Sequence, residues 1–191
     1  MGGTGRKVAF FGGSFDPPHV CHVSMVKLAL ESGAVEEVLA VPCFNHPLAK
    51  EVSPFAHRFE MARLAFAPLG SGVGLSRLEE ELGGAGRTLD TLEELARRNP
   101  DASFRLLIGA DILKERDDWY RFDEVQLLAP PLVVAREGWP GEGEGDLVLP
   151  DVSSSTVRSL VHRQQPFAHL VPPLVAAYIE KHGLYRGKGE E

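Results

Sequence analysis

His19 and His22 stand three residues apart, directly after the run Gly12-Gly13-Ser14-Phe15-Asp16-Pro17-Pro18. Residues at i and i+3 share one face of a helix, so both imidazoles can turn to the same target. The two prolines suit a helix entry, and Gly12 and Gly13 let the backbone turn sharply and come close to a ligand. The first turn of such a helix carries unpaired N–H groups and a partial positive charge, which together attract phosphate. A histidine near a helix start can also be a cap or a surface residue, but two of them behind a Gly-Gly turn point to a shared anion. A zinc-protease pair would need His at i and i+4 with an intervening Glu, and neither is present. G-x-G-x-x-G is missing, and no Gly-Lys-Ser/Thr follows, so neither a dinucleotide fingerprint nor a Walker loop fits.

A second stretch offers similar chemistry. Ser153, Ser154 and Ser155 precede Thr156-Val157-Arg158, a helix start whose hydroxyls and amides can cradle phosphate with an arginine one turn in. Gly109 and Asp111 follow an apolar run; a glycine lets a nucleotide approach, and a carboxylate can bind a ribose diol. On the residues alone, an acidic helix start serves equally well there. Trp119, within Asp117-Asp118-Trp119-Tyr120, is either a core anchor or a flat surface for stacking. Arg58 either holds a loop or is a surface charge.

These groups need a frame, and the chain supplies a regular one. It has 191 residues, 43% hydrophobic and 25% charged, ordinary values for a soluble chain able to bury a core. One domain over 1–191 is expected, its C-terminal helical part near 153–185 completing the phosphate site. Apolar runs over 7–11, 37–41, 104–108 and 132–135 read as strands, with weaker ones at 73–75 and 147–149. Helical patterns fall over 19–30, from Ser53-Pro54 onward (Ser as cap, Pro in first position), from a Thr88 or Asp90 cap to Arg98, and over 121–128. Two more follow, from Ser153 or Ser154 to about Arg163 and over 172–182. A helical turn or two follows Gly109, and 138–145 reads as an acidic loop. Alternation of this kind predicts an α/β fold, a Rossmann-like doubly wound parallel sheet with helices on both faces. Ligands then bind beyond the carboxyl ends of the strands, where the Gly12 turn, the 42–50 segment, Gly109–Asp111 and the 152–158 segment all fall.

Several classes are excluded on bulk grounds. A net charge of −7 argues against non-specific nucleic-acid binding. No apolar run approaches a membrane span, and the first residues carry no signal-type apolar segment, so a cytoplasmic protein is expected. Two cysteines, Cys21 and Cys43, are too few for a disulfide framework or a four-cysteine zinc site. They are expected to be reduced, inert thiols, with Cys21 a small packing residue. No dedicated metal site is expected, and a homo-oligomer is left open.

Taken together, GGSFDPPHVCH resembles the GGSFDPxHxGH signature of the nucleotidyltransferases whose active site carries a His-x-Gly-His motif, and more closely the bacterial nicotinate-nucleotide adenylyltransferases. The resemblance runs along nearly the whole chain. GRTLDTLEEL, LLIGADIL followed by DDWYRFDEV, VSSSTVRSL and LVPPLVAAYIEKHGLY are each similar to a segment of that family. Two departures stand out. Cys21 occupies the signature's glycine position, and His46-Pro47-Leu48-Ala49-Lys50 replaces the family's usual Pro-Pro-His-Lys, with the lysine one position displaced.

The resemblance implies AMP transfer from ATP to nicotinate mononucleotide in NAD biosynthesis, with Mg²⁺ travelling with ATP. It assigns His19 and His22 to catalysis. It assigns Gly12, Gly13, Ser14, Phe15, Gly109, Asp111, Ser153, Ser154, Ser155 and Arg158 to ATP. Asn45, His46, Lys50, Thr88, Leu89, Trp119 and Tyr120 are assigned to the pyridine mononucleotide. Trp119 would stack on the pyridine ring, and backbone N–H groups near Leu89 and Tyr120 would take its carboxylate. Other acceptors, nicotinamide mononucleotide or phosphopantetheine, keep the same chemistry; a nucleotide-binding module without catalysis, or more distantly a zinc hydrolase, does not.

Overall fold

Along the first strand the side chains alternate between two cores. Val8 and Phe10 pack to one side, while Ala9 and Phe11 pack to the other. Successive residues of a strand point to opposite faces, so an unbroken apolar run such as Val-Ala-Phe-Phe belongs to a strand buried on both sides. Phe104, Leu106 and Ile108 repeat the alternation on one face, with Leu107 on the other.

The computed structural model describes residues 5–45, 51–135 and 149–187. In chain order the elements are β1 (Arg6–Gly13), α1 (Val20–Glu31), β2 (Glu37–Pro42), α2 (Phe55–Phe66), β3 (Val73–Leu75), α3 (Leu78–Leu82) and α4 (Thr88–Arg98). There follow β4 (Ala102–Gly109), α5 (Phe122–Leu128), β5 (Pro131–Val134), α6 (Ser154–His162) and α7 (Pro173–His182). Short 3₁₀ helices cover Ala67–Leu69, Ala110–Asp118 and Ala168–Leu170.

The five strands form one parallel sheet in the order β3-β2-β1-β4-β5. Residues of α1, α2, α6 and α7 share the core on one face, and those of α3, α4 and α5 the core on the other. The doubly wound α/β architecture read from the sequence is therefore present. Its order reverses between β1 and β4, which opens a crevice beyond their carboxyl ends. Gly12-Gly13 and Gly109 sit at those ends.

Local differences from the sequence reading have physical reasons. Pro54 is the cap of α2, and Phe55 its first residue, rather than Ser53 and Pro54; the Ser53 carbonyl and amide are committed elsewhere. Arg87, not Thr88 or Asp90, caps α4. Arg121 caps α5 from a left-handed backbone, φ 53°, so that helix begins at Phe122. The turns after Gly109 are a 3₁₀ run of nine residues. The five-residue α3 was not anticipated; LEEEL is too short to show a period. Of the 147–149 strand only Leu149 is described, and its amide donates to the Ala135 carbonyl at 3.1 Å. The 138–145 segment lies outside the described residues. No helix among the described residues is long and apolar enough to cross a membrane.

Candidate active site

The turn that follows β1 is built from within the core. A Cβ on Gly12 would stand 2.9 Å from the Phe10 ring, and one on Gly13 would meet the Phe15 ring at 3.4 Å. Phe15 adopts φ 49°, a conformation that costs a non-glycine residue about 1–3 kcal/mol. Its ring is buried against Phe11, Phe66 and His22, at centroid distances of 5.3, 5.5 and 5.2 Å. Aromatic contacts of this kind contribute about 0.5–1.5 kcal/mol each, enough together to offset the strain. The ring being enclosed, Phe15 can meet a nucleotide only through its main chain.

His19 caps α1 in extended backbone geometry and is 5% exposed. His22 lies one turn on, half-buried, its ring 3.8 Å from that of His19 and tilted by 33°. The His19 N–H donates to Nδ1 of His22 at 3.1 Å. An Nδ1 that accepts cannot carry a proton, so neutral His22 holds its proton on Nε2.

A second helix start is locked onto the first. Ser153 caps α6, its hydroxyl oxygen accepting from the Thr156 N–H at 3.1 Å. The Ser154 hydroxyl donates to the Pro17 carbonyl at 2.8 Å. Arg158 donates through Nη1 to the Asp16 carbonyl at 2.7 Å and through Nη2 to the Ser155 hydroxyl at 3.2 Å. The Cys21 thiol donates to the Pro150 carbonyl at 3.3 Å, which gives this residue a docking role between the two helix starts. Two sets of first-turn amides, with their positive helix ends, thus converge beside Arg158. Gly109 lies at the end of the neighbouring strand. There the Asp111 carboxylate folds back so closely that a Cβ on Gly109 would lie 2.5 Å from its Oδ1.

Beneath this surface lies a polar scaffold, of which the sequence offered only Arg58, as one of two alternatives. Arg58 is 1% exposed, so it holds a loop and is no surface charge. Its guanidinium donates to the carbonyls of Ser53 (2.7 Å), Ser14 (3.0 Å), Cys43 (2.7 Å) and Phe44 (3.2 Å). Asp16 is 2% exposed. Its carboxylate accepts from the Ser53 N–H at 3.0 Å and from the Tyr185 hydroxyl at 2.7 Å. Burial, and then the adjacent Asp16 charge, push the Tyr185 hydroxyl far above the ordinary phenol range. Glu79 accepts from the Phe44 N–H at 3.1 Å and the Thr91 hydroxyl at 3.2 Å. Burial raises its carboxyl, and those two hydrogen bonds draw it part of the way back. The Cys43 thiol is pushed up to about 11, mainly by burial. Arginine or aspartate on an apolar-spaced helix or turn gives no sign that it is buried; only the convergence of distant partners does, carbonyls on Arg58 and donors on Asp16.

The remaining predicted residues gather around the start of α4. Asn45 donates to the Gly84 carbonyl at 2.8 Å, tying the end of β2 to the segment that leads into α4. Thr88 is half-buried. The Leu89 side chain is buried in the core, so only its main chain can serve a ligand. Trp119 is half-buried, edge-on to Phe122 at 5.5 Å, and thus also anchors the core. Tyr120 is 45% exposed, and the Arg87 guanidinium lies 4.0 Å from its ring centroid. That contact draws Thr88, Leu89 and Tyr120 into one place. His46 and Lys50 lie outside the described residues. Cavities of about 340 Å³, near Lys7 and Arg105, and about 740 Å³, near His162 and Arg186, have none of the site residues in their walls.

Comparison with known proteins identifies relatives along nearly the whole chain. The cytidylyltransferase-like family model matches residues 10–163. A probable nicotinate-nucleotide adenylyltransferase of Anaeromyxobacter sp. (strain K) is 46% identical over 187 residues, covering 96% of this chain and 98% of that one. The nicotinate-nucleotide adenylyltransferase of Bacillus subtilis (strain 168) is 32% identical over 187 residues, covering 94% and 98%. Among solved structures, Plasmodium falciparum nicotinic acid mononucleotide adenylyltransferase complexed with NaAD shares the fold, with TM-score 0.78 at 19% identity, over 94% of this chain and 97% of that one.

Proposed function

From the premise that this chain belongs to the cytidylyltransferase-like family, within it to the nicotinate-nucleotide adenylyltransferases, we propose how its residues carry that reaction. The enzyme transfers AMP from ATP to nicotinate mononucleotide, giving nicotinate adenine dinucleotide and pyrophosphate. An oxygen of the mononucleotide phosphate attacks the α-phosphorus of ATP. The bond from that phosphorus to the bridging oxygen breaks, and pyrophosphate leaves with the electron pair. The nucleophile is already anionic, so no strong base is required; positioning and charge stabilisation do most of the work.

The observation that carries this reading is the convergence of two helix starts, with His19, His22 and Arg158, beside the carboxyl ends of β1 and β4. His22 donates from Nε2 to the α-phosphate, with His19 beside it. The amides and hydroxyls of Ser153, Ser154 and Ser155, with Arg158, hold the leaving pyrophosphate. Gly12, Gly13, Ser14 and the Phe15 main chain flank the triphosphate, while Gly109 and Asp111 meet a ribose. Asn45, His46 and Lys50 serve the mononucleotide, Trp119 stacks on its pyridine ring, and amides of Thr88, Leu89 and Tyr120 take the carboxylate. Mg²⁺ accompanies ATP, being a hard ion that prefers phosphate oxygens and water. We assign the reaction to the cytoplasm, where both free cysteines would stay reduced.

Pyrophosphate release from ATP and Mg²⁺ tests the reading. It is measured with nicotinate mononucleotide, nicotinamide mononucleotide and phosphopantetheine in turn, and with no acceptor. Release that depends on nicotinate mononucleotide supports it. Release with only another acceptor would move the substrate, and ATP binding without release by folded protein would leave a binding module.

A further inference from the structure

Arg87 presents a charge that no carboxylate among the described residues neutralises. Its guanidinium lies over Tyr120, at 4.0 Å from the ring centroid. The Arg121 guanidinium lies 5.9 Å from the same ring, but Glu124 neutralises it through a bidentate contact. At the start of α3 Arg77 pairs with Glu80, and on α4 itself Arg97 and Arg98 pair with Glu94. Among the described residues no carboxylate pairs with Arg87. The local surroundings are acidic, with Asp90 in the first turn of α4 and Asp117 and Asp118 just before Trp119. An exposed cation left unpaired in an acidic protein stands ready for an anion from outside.

We propose that Arg87 is a specificity-determining residue, whose charge meets the carboxylate of the pyridine mononucleotide and thereby favours the acid over the amide. The assignment rests on the acceptor proposed above. Backbone N–H groups alone discriminate weakly, because a carboxamide can turn its oxygen toward them as a carboxylate does. A full positive charge separates the two, since only the acid carries a negative one. Planar guanidinium suits a carboxylate, and stacking on Tyr120 holds it in one plane. Arg87 also caps the helix whose first-turn amides lie at the same place, so charge and donors address one group.

Steady-state kinetics on the full chain with both mononucleotides tests this. Arg87→Gln is expected to lower kcat/KM for nicotinate mononucleotide about tenfold, the Coulomb value for one partly screened pair. The loss falls mainly on KM, as uniform binding requires. Turnover of nicotinamide mononucleotide changes by less than about threefold. Arg87→Lys, which keeps the charge, retains most of the preference. Raising the salt shrinks the wild-type preference and leaves that of Arg87→Gln unmoved. Equal losses with both acceptors, as a mere clamp on Tyr120 would give, overturn the assignment, and so does an unchanged ratio. A wild type that turned over neither mononucleotide would overturn the acceptor reading itself. A selective wild type with an indifferent Arg87→Gln variant would overturn only the role of Arg87.

Discussion

The two halves of the site are built in opposite ways. On the side of the histidines, His19 and Asp16 are 5% and 2% exposed, and the turn between them is closed by hydrogen bonds from Arg58, Arg158, Ser154 and Tyr185. On the side of α4, Asn45, Arg87 and Tyr120 are exposed; Asn45 holds the Gly84 carbonyl through one hydrogen bond, and Arg87 lies over the Tyr120 ring. The first half is preorganised before any ligand arrives, the condition under which a donor aimed at developing charge is most effective. The second is exposed to solvent, where the acceptor is proposed to enter. A two-substrate transfer gains from this division, since the group being attacked must be immobile while the attacker has to enter.

The comparison breaks most directly at His22. If its Nε2 proton meets charge that grows only in the transition state, His22→Ala lowers kcat about 10²–10³-fold, while the melting temperature stays close to wild type. Near-normal turnover in that variant would remove the histidine half from the chemistry.

Arg58 tests whether the closed half is closed by this scaffold. Arg58→Met keeps the volume but leaves the carbonyls of Ser14, Cys43, Phe44 and Ser53 without their donor. A loss of about 3 kcal/mol in denaturant unfolding is expected, together with reduced activity. A variant as stable as wild type would mean that water replaces the guanidinium.

Cys43 gives a smaller effect with a definite sign. Its thiol titrates near 9.0 when unfolded and is raised to about 11 in the fold. Below pH 9 both states are protonated and the full stability is present. Between pH 9 and 11 the unfolded chain releases the proton first, so stability falls, by on the order of 2 kcal/mol. Cys43→Ala should flatten that part of a stability-against-pH curve; an unchanged slope would assign the alkaline loss to other groups.

In the open half, Asn45→Ala is expected to raise the acceptor's KM by no more than about fivefold, with kcat unaltered. A larger effect, or one on ATP, would show the halves to be less separate than their exposure suggests.

Legibility in the sequence follows the same division. The sheet was readable because Val8–Phe11 is apolar on both faces and Phe104, Leu106 and Ile108 alternate on one, and glycine and proline mark where such runs end. The helix starts at His19 and at the serines before Arg158 were readable because prolines and serines mark helix entries at fixed offsets. What stayed hidden depends on residues far apart in the chain. Arg58 looks like any helical arginine until four carbonyls converge on it, and nothing near Asp16 announces Tyr185. The cap of α4 was misplaced because Thr and Asp are the usual capping types, whereas Arg87 fills the position with no capping side chain at all.

The Tyr185 hydroxyl completes the shell of Asp16, inside the first chemical motif of the chain. The bond spans 169 positions of the chain, and Tyr185 reaches it only by packing against the core that α1, α2, α6 and α7 share. No local segment can therefore close the histidine turn, and its completion is an outcome of global folding.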